Sequence, residues 1–299
     1  MVFKLGLMHM TLQLHHVISD MTGMKIMRAM VAGQHDPAVL ATYRDARCKA
    51  SEETLREALT GHYRREHVFA LRQALELYDS YQARIEACDQ EIQSTLASLQ
   101  RDEISLETLP AARHKKRQSP EPLFDVREAL FRVLGVDLSQ IDGFSAYTAL
   151  KLVGECGMDM SRWPTEKHFT SWLTLAPHNK STGDRLLSSA TLPSANRAAG
   201  ILRMAVMSLG RTETALGAFY RRMAFRVGKA KAITATARKL AILVYHTLKD
   251  GLVYRDPGAA AYDAQHRQRV IRRLRQRAAN LGLALVNRQT GELLEGAVS

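Results

Sequence analysis

The stretch LRQALELYDSYQARIEACDQEIQSTLASL, residues 71–99, decides the fold of this 299-residue chain. Apolar residues recur in it every seven positions, and a second set follows three positions later, as in the a and d positions of a coiled coil. The two sets are Leu71, Tyr78, Ile85, Ile92 and Leu99, and Ala74, Tyr81, Cys88 and Thr95, which together we name the heptad seam. The pattern predicts a long helix over residues 66–107, with the seam paired either between chains or on the chain's own domain.

Residues 1–65, before this helix, are predicted to form a helical segment of short helices. Residues 12–33 place apolar side chains at three- and four-residue steps and end at Gly33. Ser51 precedes Glu52 and Glu53, which is the order of an N-cap followed by acidic residues in the first helical turn. The chain start lacks the apolar core and cleavage site of a secretory signal, and no run of 18 apolar residues occurs, so we expect a cytoplasmic protein without a membrane span.

Residues 108–122, TLPAARHKKRQSPEP, are predicted to be a linker, because they contain three of the eight prolines and a basic run at 113–117. The basic run indicates either a charged flexible hinge or a contact with phosphate. Residues 123–250 return to helical periodicity and are predicted to be a compact helical domain. Residues 251–299 are predicted to be a basic tail, with a loop over 251–262 and a helix over 263–280.

The charge is concentrated in the last third of the chain. Residues 1–210 hold 25 basic and 24 acidic residues, whereas residues 211–299 hold 17 basic and 6 acidic residues. A basic segment beside a nearly neutral body favours a polyanion as partner, most often nucleic acid, and the alternative is a solvated basic face. The three cysteines are too few and too far apart for a disulfide framework or a zinc site, and the histidines form no metal-binding pattern.

A glycine turn at residues 141–145, Ile-Asp-Gly-Phe-Ser, separates two apolar helical stretches. A helix, a tight glycine turn and a second helix are typical of a helix-hairpin-helix, in which turn amides and a helix N-terminus face a DNA phosphate. Gly143 and Ser145 are therefore candidate DNA-binding residues. The alternative is an ordinary corner between two helices.

The polar loop at residues 177–185 is the second candidate for chemistry, because hydroxyl groups lie beside Lys180 and Arg185. A hydroxyl that attacks phosphorus needs cations to hold the phosphate, and a plain surface turn has the same composition. The remaining candidate DNA-binding residues are Arg197, Arg203, Arg221, Arg222, Lys229, Lys231 and Lys239. Phe219 and Phe225, which lie among these cations, are interpreted as core residues rather than as residues that stack on bases.

Three phrases within residues 134–250 carry a resemblance to a known family. They are IDGFSAYTALKLVGECGMDMSRWPTEKHFTSWLTLAP, NKSTGDRLLSSATLPSANRAAGILRMAVMSL and TALGAFYRRMAFRVGKAKAITATARKLAILVYHTLK. The stretch resembles the C-terminal domain of insertion-sequence-110 type transposases, which are grouped with the 116 and 902 elements. Residues 11–107 resemble the segment that joins the two catalytic domains in one branch of this family.

The resemblance implies a DNA recombinase that excises and inserts a mobile element. In the family, an N-terminal RuvC-like domain holds Mg²⁺ with four acidic residues, and the C-terminal domain supplies a serine nucleophile that joins covalently to DNA. Some members use a structured guide RNA. This chain begins where the RuvC-like domain would already have ended, so we expect a truncated transposase with no cofactor of its own.

The nucleophile is left open between two residues. The family loop commonly reads Asn-Lys-x-Ser-Gly-Gly-Lys, whereas residues 179–185 read Asn-Lys-Ser-Thr-Gly-Asp-Arg. An ungapped comparison puts Thr182 at the nucleophile position, and Ser181 lies one residue earlier. Threonine keeps the hydroxyl but restricts its rotamers, and Asp184 brings a negative charge where the family has glycine.

Together these patterns predict a mainly α fold and a DNA-binding, C-terminal transposase function. The alternative is a non-catalytic nucleic-acid-binding remnant that dimerises through residues 66–107 and interferes with full-length transposase. The predicted partners are DNA, a structured guide RNA, and a second copy or full-length transposase paired through residues 66–107.

Overall fold

Helices form nearly all the regular structure of the computed structural model, which describes residues 21–46, 48, 50–113, 122–183, 185–286 and 288. The prediction of a mainly α fold is confirmed. By its internal contacts the chain divides into two units, residues 1–90 and residues 91–299. That division falls inside a helix, and the five-segment organisation proposed from the sequence remains a prediction.

From residue 21 onward, the described part of the first unit contains three short helices, α1 (Met21–Val31), α2 (Pro37–Ala41) and α3 (Glu52–Leu59), followed by most of α4 (Arg65–Ser98). Ser51 caps α3 as predicted, since its hydroxyl accepts a hydrogen bond from the amide of Thr54 at 3.1 Å. The apolar core of the first unit, as far as its residues are described, is small. One cluster of buried residues consists of Ile26, Met30, Leu40 and Leu59, and a second consists of Ala41, Cys48 and Leu55. The part of the predicted first helix before Met21 lies outside the described residues.

α4 is the predicted long helix, with 34 residues. It ends at Ser98 rather than at 107, because the amide of Arg101 bonds to the carbonyl of Arg132 at 3.1 Å instead of continuing the helix. Every residue of the heptad seam from Ala74 to Leu99 is exposed, whereas Leu75 and Leu96, outside the seam, are buried. Within the described ranges, therefore, the chain's own residues do not cover the seam.

After α4, the described residues of the second unit form seven α-helices and one hairpin. They are α5 (Val126–Leu134), α6 (Ala146–Cys156), α7 (Glu166–Trp172), β1 (Lys180–Thr182), β2 (Arg185–Ser188), α8 (Arg197–Leu209), α9 (Ala215–Val227), α10 (Lys229–Asp250) and α11 (Gly258–Ala279). Short 3-10 helices occur at Leu106–Thr108, Leu138–Gln140 and Met160–Arg162.

α10 lies at the centre of this unit and packs against α7, α8 and α9. Its buried residues Leu240, Ala241 and Val244 belong to one apolar core that also includes Leu202 and Val206 of α8. The buried hydroxyl of Tyr245 in this core donates to the carbonyl of Trp163 at 2.8 Å. α6 packs on α8, and the basic helix α11 packs on α9.

Two local predictions are wrong. The stretch 177–185 is not a plain loop, because its residues pair into the β1–β2 hairpin. The predicted loop 251–262 is shorter, since α11 begins at Gly258. Three consecutive alanines, which have the highest helix propensity, start this helix, and the amide of Ala259 bonds to the carbonyl of Glu213 at 3.0 Å.

Candidate nucleic-acid interface

The hairpin separates the two candidate nucleophiles. Thr182 pairs with Arg185 across the strands, and Ser181 pairs with Leu186. Neighbouring side chains along a strand point to opposite faces, so Thr182 shares a face with Arg185 and Ser181 lies on the other. Both hydroxyl-bearing residues are exposed, as are Lys180 and Arg185. Thr182 is therefore the hydroxyl with a cation directly across from it.

The turn and the base of the hairpin fix the position of the two strands that carry Thr182 and Arg185. Gly183 has a φ of 54°, a left-handed conformation that suits the first position of a two-residue hairpin turn. At the other end, the amide of His178 donates to the carbonyl of Ala190 at 3.0 Å. The side chain of Asn196, which caps α8, also donates to the carbonyl of Trp172 at the end of α7. The hairpin thus projects from a closed base between two core helices.

Arg197 and Arg203 follow the hairpin on α8. Arg197 donates through Nε to Glu155 of α6 at 2.7 Å, so its charge is already paired in the isolated chain. Arg203 is half-buried. Of these two predicted phosphate contacts, Arg197 would have to exchange its carboxylate partner for a phosphate.

The glycine turn at residues 141–145 is fixed by packing. Gly143 has a φ of 85°, and a Cβ there would lie 2.9 Å from the carbonyl oxygen of Ala205 and 3.2 Å from Leu209. Ser145 caps α6, since its hydroxyl accepts from the amide of Thr148 at 3.1 Å. This geometry fits both interpretations of the turn, as a helix-hairpin-helix or as an ordinary corner.

The buried carboxylate of Asp142 ties the turn to distant segments. It pairs with Arg113 at 2.7 Å and accepts from the hydroxyl of Tyr254 at 3.0 Å. Burial raises the pKa of Asp142 above its ordinary value, partly opposed by Tyr254 and Arg113. Arg113, the described residue of the basic run 113–117, is thus held by an ion pair, and residues 114–117 lie outside the described residues.

Residues 221–231, where α9 ends and α10 begins, form what we name the basic corner. No acidic residue occurs in the sequence between Glu213 and Asp250. Arg226, Lys229 and Lys231 are exposed, and none of the three forms an ion pair within the described part of the chain. A cation without a carboxylate partner keeps its full positive charge available for a phosphate. Proteins bind the nucleic-acid backbone with groups of this kind.

Two cations of this region that are predicted to contact DNA already have partners within the protein. Arg221 donates to the carbonyl of Thr212 at 2.6 Å and approaches Glu213 at 3.6 Å. Arg222 pairs with Asp263 of α11. Both therefore contribute to the fold in the absence of any ligand.

Beside the corner, α9, α10 and α11 meet in a cluster of rings and cations that we name the aromatic junction. Phe219 meets Tyr262 edge to face at 6.3 Å, and the Arg222 guanidinium lies 5.0 Å from the Tyr262 ring centroid. Lys239 lies 4.6 Å from the Phe219 ring centroid. These distances are within cation–π range, so the junction holds cations against ring faces.

The cations of the aromatic junction crowd one another. Burial, and then the charge of Arg269, lower the pKa of Lys239. Burial, and then the charges of Arg222 and Arg269, lower the pKa of His266, against the opposing charge of Asp263. Nη1 of Arg222 is buried without a hydrogen-bond partner. An anion bound here would relieve this repulsion and supply the missing acceptor.

Sequence reasoning missed Tyr262, His266 and Arg269 as a group. They are spaced four and three residues apart, so they occupy one face of α11, and this spacing was readable in the sequence. What could not be read was that this face packs on α9 beside Phe219 and Lys239.

The interpretation of Phe225 as a core residue is wrong. It is 96% exposed, whereas Phe219 is half-buried against Tyr262. The buried residues of α9 are Leu216, Gly217 and Ala218, all near its first turn. The last turn of α9, which includes Phe225, therefore extends beyond the core.

The described residues lack the features of two other classes of protein, metal-binding and membrane-spanning. They contain no group of three or more His, Cys, Asp or Glu side chains arranged to hold a metal ion. Among the helices of the described ranges, none has the length and apolarity that crossing a membrane requires.

The fold and these surfaces define a helical protein with a strongly basic C-terminal region. Residues 137–221 match the family model of the Transposase IS116/IS110/IS902 family, which spans the glycine turn, α6, α7, the hairpin, α8 and α9 as far as Arg221. This part of the chain is therefore similar to a domain of this family, in agreement with the resemblance found in the sequence. The match covers less than a third of the chain, and α10 and α11 lie outside it. No curated protein and no solved structure matches the chain.

Proposed function

We propose that the chain binds DNA during transposition and that the basic corner and the aromatic junction supply its main phosphate contacts. A transposase domain supports a role in transposition and implies DNA as partner. The observation that carries the proposal is the acid-free run between Glu213 and Asp250, whose cations Lys229 and Lys231 are exposed and unpaired in the described chain. We expect this activity in the cytoplasm.

The test is binding to element-end DNA, measured by electrophoretic mobility shift across a salt series. Each phosphate contact contributes about 0.9 to the slope of log K against log salt concentration, so K229A/K231A should reduce that slope by about 1–2. K25A is the matched control, because Lys25 is an exposed cation on α1 of the first unit. No binding at low salt, or equal losses in both variants, would contradict the proposal.

We further propose Thr182 as the nucleophile if the domain does chemistry, because Arg185 lies across from it on the same face of the hairpin. The Thr182 hydroxyl would attack a DNA phosphorus, form a phosphoester bond through Oγ1 and release a sugar hydroxyl of the cut strand, which takes up the proton. Arg185 and Lys180 would hold the non-bridging phosphate oxygens. Mg²⁺ would be held by a RuvC-like acidic domain, as the family resemblance implies.

A denaturing gel with labelled element-end DNA detects the covalent adduct. We expect an adduct with the wild type and with T182S, loss of it with T182A, and little change with S181A. Adduct loss in S181A alone would transfer the role to Ser181. If DNA binds but no adduct forms with an acidic-domain partner supplied, the chain acts as a non-catalytic binder.

The non-catalytic alternative is favoured by one observation, the exposed heptad seam of α4. An uncovered a/d seam supports pairing with a second copy or with full-length transposase, and mixed oligomers would interfere with the complete enzyme. A structured guide RNA remains a proposed partner of the same basic surface, and competition by element-derived RNA in the salt series tests it.

A further inference from the structure

Phe225 stands out among the exposed apolar side chains of the described residues, because it has the greatest exposed fraction, 96%. A phenyl ring left wholly in water contributes nothing to the core and carries an unfavourable hydration cost. Its neighbours on α9 and α10 do not cover it, since Arg226 and residues 228–231 are exposed as well. The ring is therefore presented at the surface by the fold.

The surroundings of this ring are cationic. Arg221 and Arg222 precede Phe225 by one helical turn on α9, so they lie on its side of the helix. α9 ends at Val227, and α10 begins at Lys229 after Gly228, whose φ is 86°. Phe225 thus sits at the basic corner, between Arg221 and Arg222, which the protein itself engages, and the exposed, unpaired Lys229 and Lys231.

We infer that Phe225 stacks on an unpaired nucleobase of a DNA strand whose phosphates bind the basic corner. The inference rests on the proposed DNA-binding function and adds to it the structure of the DNA that is bound. A flat apolar ring surrounded by cations matches a nucleobase flanked by its phosphates, which is how proteins hold single strands.

The same charges argue against other occupants. A protein surface packed on Phe225 would have to supply carboxylates to Lys229 and Lys231, and the corner itself offers none between Glu213 and Asp250. A fully paired duplex hides its base faces within the stack, so the ring would have to unstack a base step there, at a cost of about a few kcal/mol that a single strand avoids. The transposase match runs along α9 as far as Arg221, one turn before Phe225, which favours DNA.

The test compares a short DNA single strand, the same sequence as a fully paired duplex, and the same sequence as RNA, by fluorescence anisotropy. We expect F225A to weaken single-strand binding by about tenfold and duplex binding by less than about twofold, since stacking acts only on open bases. F225W should restore single-strand binding, whereas F225L, which is apolar but not aromatic, should not. Thermal unfolding should be unchanged, because the side chain is exposed.

F69A is the matched control, since Phe69 is an exposed phenylalanine on α4 of the other unit, and it should leave all three affinities unchanged. The inference is overturned if F225A has no effect, if it weakens strand and duplex equally, if F225L restores binding as well as F225W, or if only RNA binding changes. If the wild type binds no DNA at low salt, the proposed function itself fails. Salt-sensitive binding that F225A leaves intact overturns only the stacking.

Discussion

At Gly143, the backbone conformation and the close approach of α8 both require that no side chain be present. Its φ of 85° is strained for any L-residue, and a Cβ would lie 2.9 Å from a backbone oxygen that cannot move aside. A glycine singled out as a phosphate contact thus has a packing role that its sequence context did not show.

Replacing Gly143 by alanine should therefore destabilise the second unit by about 2–3 kcal/mol, from left-handed strain together with the clash. The measurement is urea unfolding followed by circular dichroism. G154A is the control, because Gly154 is an exposed position of α6 with nothing within 4 Å of a built Cβ. That variant should gain about 0.5–1 kcal/mol from helix propensity. Equal effects of the two substitutions would show that Gly143 is not constrained.

Asp137 gives a pH-dependent prediction. Burial acts to raise its pKa, but hydrogen bonds from Ser139, Gln140 and Arg127 outweigh burial and hold the pKa below its ordinary value. The carboxylate is 4% exposed and pairs with Arg127 at 2.6 Å. A lowered pKa means that this stabilisation is present above the unfolded pKa, about 3.9, and is lost as the pH falls through the folded pKa.

D137N should cost about 3 kcal/mol near neutral pH, because it leaves Arg127 without its charge partner. The difference from wild type should shrink as the pH falls below about 3.9, where the carboxylate of the unfolded wild type takes up a proton, and it should be lost once the pH falls through the lower folded pKa. Urea unfolding at both pH values measures it. D159N is a matched control, since Asp159 makes the same contacts with Ser161 on the surface, and its loss should be smaller. A loss in D137N that does not vary with pH would contradict the assignment.

Among the elements, α4 is the helix whose sequence pattern and surroundings disagree. The a/d pattern of its heptad seam predicts burial, yet the seam residues from Ala74 to Leu99 are exposed. Leu75 and Leu96, which lie outside the seam, are buried. Because an exposed apolar stripe is unfavourable in water, we expect the seam to pair, and a second α4 would present the matching apolar surface.

We therefore expect the chain to be dimeric through α4 and the double variant I85D/I92D to be monomeric. Each buried isoleucine contributes about 1.5–3 kcal/mol, so the double variant should weaken association more than about a hundredfold. Sedimentation equilibrium, referred to the chain mass of 33.4 kDa, measures this. A87D, an exposed position of α4 outside the seam, should leave the dimer intact. A wild type that stays monomeric at high concentration would contradict the expectation.

At the scale of the whole molecule, the two units differ in core size and in charge. Among the residues that the structure describes, the first has two clusters of only a few buried apolar residues, whereas the second has one large core around α10. The excess positive charge lies almost entirely in residues 211–299, within the second unit. We therefore expect the two units to unfold separately and DNA to stabilise only the second unit.

We expect two calorimetric unfolding transitions, with the first unit melting at the lower temperature because it buries less apolar surface. L59A should lower the first transition and L240A the second, which assigns them. Element-end DNA at about a thousand times its Kd should stabilise only the second, by about 4 kcal/mol. A single transition, or an upward shift of both, would show that the units unfold together.

The sequence by itself determined the features that depend on neighbouring residues. The mainly α fold, the long helix α4, the cap at Ser51 and the basic C-terminal third follow from periodicity, capping and composition, which act over a few residues. The transposase resemblance also came from the sequence, through phrases around the glycine turn and the hairpin.

Only the tertiary structure decided which side chains are covered and which meet. The strand pairing that puts Thr182 beside Arg185, the helix packing that brings Lys239 to Phe219, and the projection of Phe225 beyond the core all depend on contacts between separate segments. A helical pattern states which residues share a face, but the neighbouring elements determine whether that face is buried. For this reason the candidate residues were readable from the sequence, and their grouping into surfaces was not.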